Sequence, residues 1–150
     1  MSISRSQAQI DAPIQTVWRL VADVERHPDW WPNVIEVECG DIEQGCTYRR
    51  VFKRPFGVDD TTILIDELDS YRALKIRCLD TGSFASFRLA ESQGGTFVDA
   101  EAGLEAKTAA TKIFDRLGGK RFYSRWLDQS LDALRAAACE RATAEPSPNA

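Results

Sequence analysis

Histidines, thiols and paired carboxylates are the side chains that most often do chemistry, and this chain uses them sparingly. His27 is its only histidine. An imidazole can serve as general base or metal ligand near neutral pH. Here it directly precedes Pro28, where a helix should end, which assigns it a turn or surface role. Without a second histidine, neither a histidine zinc site nor a histidine-based triad can be assembled. Cys39, Cys46, Cys78 and Cys139 contain no Cys-x-x-Cys pair, which argues against zinc ribbons and thioredoxin-like redox chemistry. Free thiols in a reducing compartment are the simplest account of them; a Cys39–Cys46 bridge across a hairpin is the lesser alternative. Asp59-Asp60 follows a hairpin signal and Asp99/Glu101 falls on an outer strand face, so both read as solvated charges. Gly118-Gly119-Lys120 lacks the spacing of a phosphate loop. There is no serine nucleophile elbow and no dinucleotide fingerprint. No metal and no cofactor is expected.

The aromatic residues are more informative. Trp30, Trp31, Phe56, Phe84, Phe87, Tyr123 and Trp126 could form the wall of a cavity that stacks on a flat, apolar ligand. They could equally be plain core. Tyr123 and Trp126 are the best wall candidates, because they share the helix face that must meet the rest of the fold. Each also carries a polar tip that seeks a partner when buried. Ser130 is a small polar gap in that same face and could hydrogen-bond a ligand.

The elements that must position these residues follow from periodicity. Residues 2–10 read as an edge strand. Asp11 and Pro13 start a helix, since proline suits the first helical position and a carboxylate suits the positive end of the dipole. Ile14, Val17, Trp18 and Val21 give that helix one buried face. It should stop before Pro28, and Asp29–Trp31 fits a second short helical turn. From Val34 the period becomes two. Strands are expected over 34–39, 46–53, 61–68, 74–79, 84–89 and 98–105, with turn signals between them, so neighbours should be antiparallel. A short helix is expected over 108–117, broken by Gly118-Gly119. Residues 120–141 then form the longest periodic element. Tyr123, Trp126, Leu127, Ser130, Leu131, Leu134, Ala137 and Ala138 make one stripe, with Arg121, Arg125, Asp128, Asp132 and Arg135 opposite. The only large partner for that stripe is the sheet. Residues 143–150 are expected to form a disordered tail. The fold is therefore α+β, with a curved sheet around a helix and a cavity between them.

A chain of 150 residues suits one domain with one core. The net charge of −4, with both signs interspersed, disfavours nucleic-acid binding, which needs a basic face. The densest basic run, residues 49–54, reads as the solvated side of a hairpin, with an anion or membrane contact as the lesser alternative. Met1 to Ile10 is polar and alternating rather than a leader. No apolar run approaches the roughly 20 residues of a membrane span. A cytoplasmic protein without an integral membrane segment is expected, as monomer or homodimer.

Several segments together resemble the START-like, or Bet v 1-like (SRPBCC), superfamily, and within it bacterial polyketide cyclase/dehydratase-related proteins. They are Ile10-Asp11-Ala12-Pro13 leading to Val17-Trp18, residues Val21 to Pro32, Gly94-Gly95-Thr96 before the last strand, and the terminal amphipathic helix. The stretch Val24 to Pro28 is also similar to the ubiquinone-binding branch. The resemblance implies a helix-grip fold: an antiparallel sheet of about six or seven strands around a long C-terminal helix, with two short helices after the first strand. It implies a cavity for a lipid, quinone or polyketide-like aromatic. From the residues themselves, Trp31, Phe56, Ile65, Ile76, Phe87, Tyr123, Trp126, Leu127 and Ser130 are the expected ligand contacts.

Cyclase chemistry would need a group that polarises a carbonyl and one that moves a proton. Similar cyclases carry an arginine on a mid-sheet strand, whereas residues 61–68 here contain none. Arg77 and Arg88 should face solvent. Arg50 can share a face with Tyr48, which makes these two the candidate catalytic residues. Three functions are thus open: binding or transport of a small hydrophobic molecule, a polyketide aromatase/cyclase or dehydratase, and a protein-interaction module with a collapsed cavity.

Overall fold

Alternating apolar and polar side chains sort the middle of the chain into a two-faced sheet. The computed structural model describes residues 2–104 and 120–144. The helix expected over 108–117, the Gly118-Gly119 break and residues 145–150 lie outside the described residues. The strands are β1 (Ser2–Ile10), β2 (Val34–Glu38), β3 (Thr47–Arg54), β4 (Gly57–Asp69), β5 (Ala73–Cys78), β6 (Ser83–Ser92) and β7 (Gly95–Leu104). They form one antiparallel sheet of order β1-β7-β6-β5-β4-β3-β2. Register shifts at Val34/Glu36 and Ile65/Glu67 add twist and curvature where the sheet must bend.

The two faces differ as the alternation requires. On the convex face, Arg5 pairs with Glu101, Arg49 with Asp60, Arg77 with Asp66 and Arg88 with Glu67. On the concave face, Tyr48, Arg50 and Phe52 of β3 stand beside Ile63 and Ile65 of β4, Ile76 and Cys78 of β5, Ala85 and Phe87 of β6, and Ala100 and Ala102 of β7. Gln93 and Gly94 turn β6 into β7 with φ of 53° and 79°, the left-handed pair of a type I′ hairpin.

Helix α1 (Ile14–Ala22) buries Ile14, Val17, Trp18 and Val21. Pro13 sits at its N-cap rather than at the first helical position. A single 3-10 turn, Val24–Arg26, leads into α2 (His27–Trp30). The helical stretch thus runs through Pro28, and His27 itself is helical at φ −53°, ψ −37°. The proline's disfavour for that conformation is offset because His27 is fully buried and its Nε2 meets the Val21 carbonyl at 2.8 Å. His27 is therefore an interior residue, correcting the turn-or-surface role read from its position.

Helix α3 (Lys120–Ala144) buries Tyr123, Trp126, Leu127, Ser130, Leu131, Leu134 and Ala138. It continues beyond Arg141, so Thr143 and Ala144 are helical. Its backbone comes close to β1 and β7, and also to α1 and α2. It stands off from β3, β4 and β5, where side chains alone must fill the distance.

Candidate functional site

Aromatic rings close one end of that gap. Trp30 and Trp31 follow each other at the end of α2 and stack at 5.6 Å between centroids. Trp126 of α3 stacks on the other side of Trp31 at 5.3 Å. Phe87 meets Trp31 edge-on, and Phe52 meets Trp126 edge-on, the geometry that the ring quadrupole favours. Each indole N–H is engaged. Trp30 donates to the Leu20 carbonyl, Trp31 to Ser130 Oγ at 2.8 Å and Trp126 to the Pro32 carbonyl at 2.8 Å. Ser130 in turn donates to the Trp126 carbonyl at 2.6 Å. This column locks α2 to α3 and fixes how far the helix stands from the sheet.

Beyond the column a cavity of about 80 Å³ remains between α3 and strands β3 to β7, enough for several water molecules or part of a small organic molecule. Phe52, Ile63, Ile76, Ala85, Leu104, Phe122, Tyr123 and Trp126 supply apolar wall. Arg50, Arg54, Asp59, Thr61, Thr81, Ser83 and Cys78 interrupt it. At the mouth, Arg54 holds Asp59 at 2.6 Å. Thr61 Oγ1 donates to the Arg50 carbonyl, and the Thr81 and Ser83 hydroxyls lie 2.9 Å apart.

Arg50 is the unusual member. It is 6 % exposed, and its guanidinium lies 5.0 Å from the Phe52 ring centre and 6.0 Å from that of Trp31. Burial pushes the Tyr48 hydroxyl up to about 12, with the Arg50 charge pulling the other way. Burial also raises Tyr123 to about 12, opposed by a hydrogen bond with Ser83 and by Arg50. Both phenols are therefore neutral donors at physiological pH. Burial lowers His27 to about 4, and the Arg50 charge lowers it further, while the Val21 carbonyl acts in the opposite sense. Because that carbonyl can only accept, His27 Nε2 carries the proton and Nδ1 a lone pair.

The structure distributes the sequence candidates unevenly. Arg50, Ile76, Tyr123 and Trp126 come together on the cavity wall. Trp31, Ile65, Phe87 and Leu127 are buried in the core and do not border the cavity. Ser130 spends its hydroxyl on the tryptophan column, so it has no free donor for a ligand. Tyr48 is buried beside Arg50 without bordering the cavity. Phe56 is 94 % exposed at the tip of the β3–β4 hairpin and takes no part in the wall. Its β-strand parity cannot operate there, because the chain is turning. Phe52, Ile63 and Cys78 were missed, although two-residue spacing from Arg50, Ile65 and Ile76 marks them. Nothing in the sequence pattern marks Thr81, Ser83 or Phe122.

All four cysteines are free. Among the described residues, no cluster of three or more His, Cys, Asp or Glu side chains could hold a metal, and no helix is long and apolar enough to cross a membrane.

Comparison with known proteins gives a family and a fold. The family model for polyketide cyclase / dehydrase and lipid transport proteins matches residues 1–138. No curated protein matches the sequence. Among solved structures, the di-domain ARO/CYC protein StfQ of the steffimycin biosynthetic pathway superposes with a TM-score of 0.74 at 15% identity, covering 94% of this chain and 51% of its own. A START superfamily protein from Mycobacterium smegmatis gives 0.72 at 13% identity, covering 93% and 99%. Protein NE0264 from Nitrosomonas europaea gives 0.72 at 15% identity, covering 95% and 97%. At these identities the likeness concerns the fold, which is the helix grip.

Proposed function

Because this chain belongs to the polyketide cyclase / dehydrase and lipid transport family, we propose that it binds or carries a small hydrophobic molecule, a lipid, quinone or polyketide-like aromatic. The observation that supports this is the hollow left under α3 once the tryptophan column has set the helix's distance from β3 to β5. An apolar wall of this kind gains roughly 25 cal/mol for each Å² of ligand surface removed from water. The binding unit is residues 1–142, acting as one domain. Arg50, Ile76, Tyr123 and Trp126 are its contact residues.

Native mass spectrometry of protein purified from its own host tests the reading. A co-purifying hydrophobic adduct is expected. Bare protein alone, together with no thermal stabilisation by any lipid, quinone or aromatic polyketide offered, would refute it.

A second reading is a polyketide aromatase/cyclase or dehydratase. It is favoured by Arg50 and Tyr123 bordering the same cavity, a cation that could polarise a carbonyl and a neutral hydroxyl that could donate a proton. Incubation with a poly-β-ketone thioester checks it. Cyclisation no faster than the spontaneous rate removes this reading and leaves the binding reading intact.

A further inference from the structure

The described residues hold four buried side-chain nitrogen or oxygen atoms without a hydrogen-bond partner: His27 Nδ1, the Tyr48 hydroxyl, and Nε and Nη1 of Arg50. They are not scattered through the core. Tyr48 and Arg50 point the same way from β3, two residues apart. The Trp31 ring lies between Arg50, at 6.0 Å, and His27, at 4.9 Å. Unmatched buried donors are costly, and a buried cation without a counter-charge is costlier still. No carboxylate among the described residues pairs with Arg50. Among the described residues the one acid on the cavity wall, Asp59, is taken by Arg54. The Phe52 and Trp31 rings can stabilise the guanidinium through their π systems, but they accept no N–H bond from its edge.

Of the three residues only Arg50 borders the cavity. Its open N–H groups are therefore available to whatever enters. The lone pair of His27 can only accept, so it would repel an anion, whereas the Arg50 guanidinium can only donate. We propose, on the basis of the ligand-binding reading above, that the ligand carries an anionic oxygen, a carboxylate or enolate, on its apolar body, and that Arg50 is the specificity-determining residue that holds this oxygen. Tyr48, buried beside Arg50 but off the cavity wall, takes no part in that contact. The cost of the unmatched cation in the empty protein is then recovered on binding, and a neutral analogue of the same shape leaves it unrecovered.

Isothermal titration calorimetry with 2-naphthoate and 2-naphthamide separates charge from shape, since the ring body is shared. Wild-type protein is expected to bind the carboxylate at least about tenfold more tightly. Arg50→Met keeps an apolar stem and removes the charge. It should reduce the preference to within about twofold while retaining naphthamide affinity. Arg50→Gln gives the same comparison where methionine prevents folding. Tyr48→Phe, at a residue off the cavity wall, should leave both affinities within about twofold of wild type. Equal affinities in the wild type, or a preference that survives loss of Arg50, overturn the assignment of Arg50 and leave the ligand-binding reading standing. Binding of neither probe by the wild type overturns the assignment of Arg50, while the ligand-binding reading stands or falls on the native mass spectrometry above.

Discussion

Ser130→Ala tests whether the tryptophan column or a ligand owns that hydroxyl. Ser130 is fully buried, accepts from Trp31 Nε1 at 2.8 Å and donates to the Trp126 carbonyl at 2.6 Å. Alanine removes the acceptor and leaves the indole N–H of Trp31, a ring only 2 % exposed, with nothing to bond. An orphaned buried donor costs about 1–3 kcal/mol. The Trp126 carbonyl keeps its place in the α3 ladder, and alanine's better helix propensity returns up to about 0.5 kcal/mol. The net expectation is a loss of about 2 kcal/mol, or about 4–8 °C in melting temperature for a chain of this size. Urea denaturation of Ser130→Ala, Trp31→Phe and the double variant completes a cycle. Phenylalanine has no N–H to strand, so the serine deletion should cost at least about 1 kcal/mol less in that background. Naphthoate affinity of Ser130→Ala should stay within about twofold of wild type, since the hydroxyl is spent on the column. A serine deletion within about 0.5 kcal/mol of wild type, combined with a large loss of ligand affinity, would refute the reasoning and return Ser130 to the ligand.

Three other perturbations have defined outcomes. The folded pKa of His27 is lowered to about 4 from 6.5, so the unfolded chain takes up the proton first. Stability tied to this residue is present above about pH 6.5 and is lost as pH falls toward 4, by about 3 kcal/mol if the whole difference is expressed. His27→Gln, whose amide can still reach the Val21 carbonyl, should flatten urea-denaturation stability across that window; an unchanged slope would reject the assignment. At Gly95 an added Cβ would collide with the Ile10 carbonyl oxygen of the neighbouring strand. Gly95→Ala should therefore cost about 1–3 kcal/mol by chemical denaturation, as overpacking does, and a neutral result would contradict the tight β1–β7 approach. Phe56→Ser, at the exposed hairpin tip, should change stability by no more than about 0.5 kcal/mol and leave naphthoate binding untouched; weakened binding in calorimetry would restore Phe56 to the site.

Much of the architecture was legible because its signals are local and repeated. Two-residue alternation over β5 to β7 gave those strands and the sides on which their apolar residues lie. The stripe from Tyr123 to Ala138 gave α3 and the side that meets the sheet. The errors arose where a single local rule was outweighed by packing. The rule that proline disfavours helix before it predicts a break at His27. Burying the imidazole and giving it a carbonyl partner overrides that preference, so the 3-10 turn passes directly into α2. Phe56 was assigned inward by residue type alone, at a point where the hairpin reverses and alternation has no meaning.

The site was less legible for a different reason. Apolar periodicity reports which side chains leave water, not which of them border unfilled space. Trp31, Phe87 and Leu127 satisfy the same pattern as Ile76 and Trp126, yet the first three fill the interior and the last two face a hollow. The difference is set by a distance, the separation of α3 from β3 to β5. That separation depends on three stacked rings drawn from α2, α3 and the intervening segment. Polar residues resist the pattern more strongly still. Ser130 and Arg50 both interrupt apolar faces, and sequence alone marks each as a possible ligand contact. The hydrogen-bond inventory separates them. Ser130 is fully satisfied from within the protein, and Arg50 is not. A buried group whose partners are all internal serves the fold. A buried group facing a cavity with donors left over is the one whose chemistry has to be completed from outside.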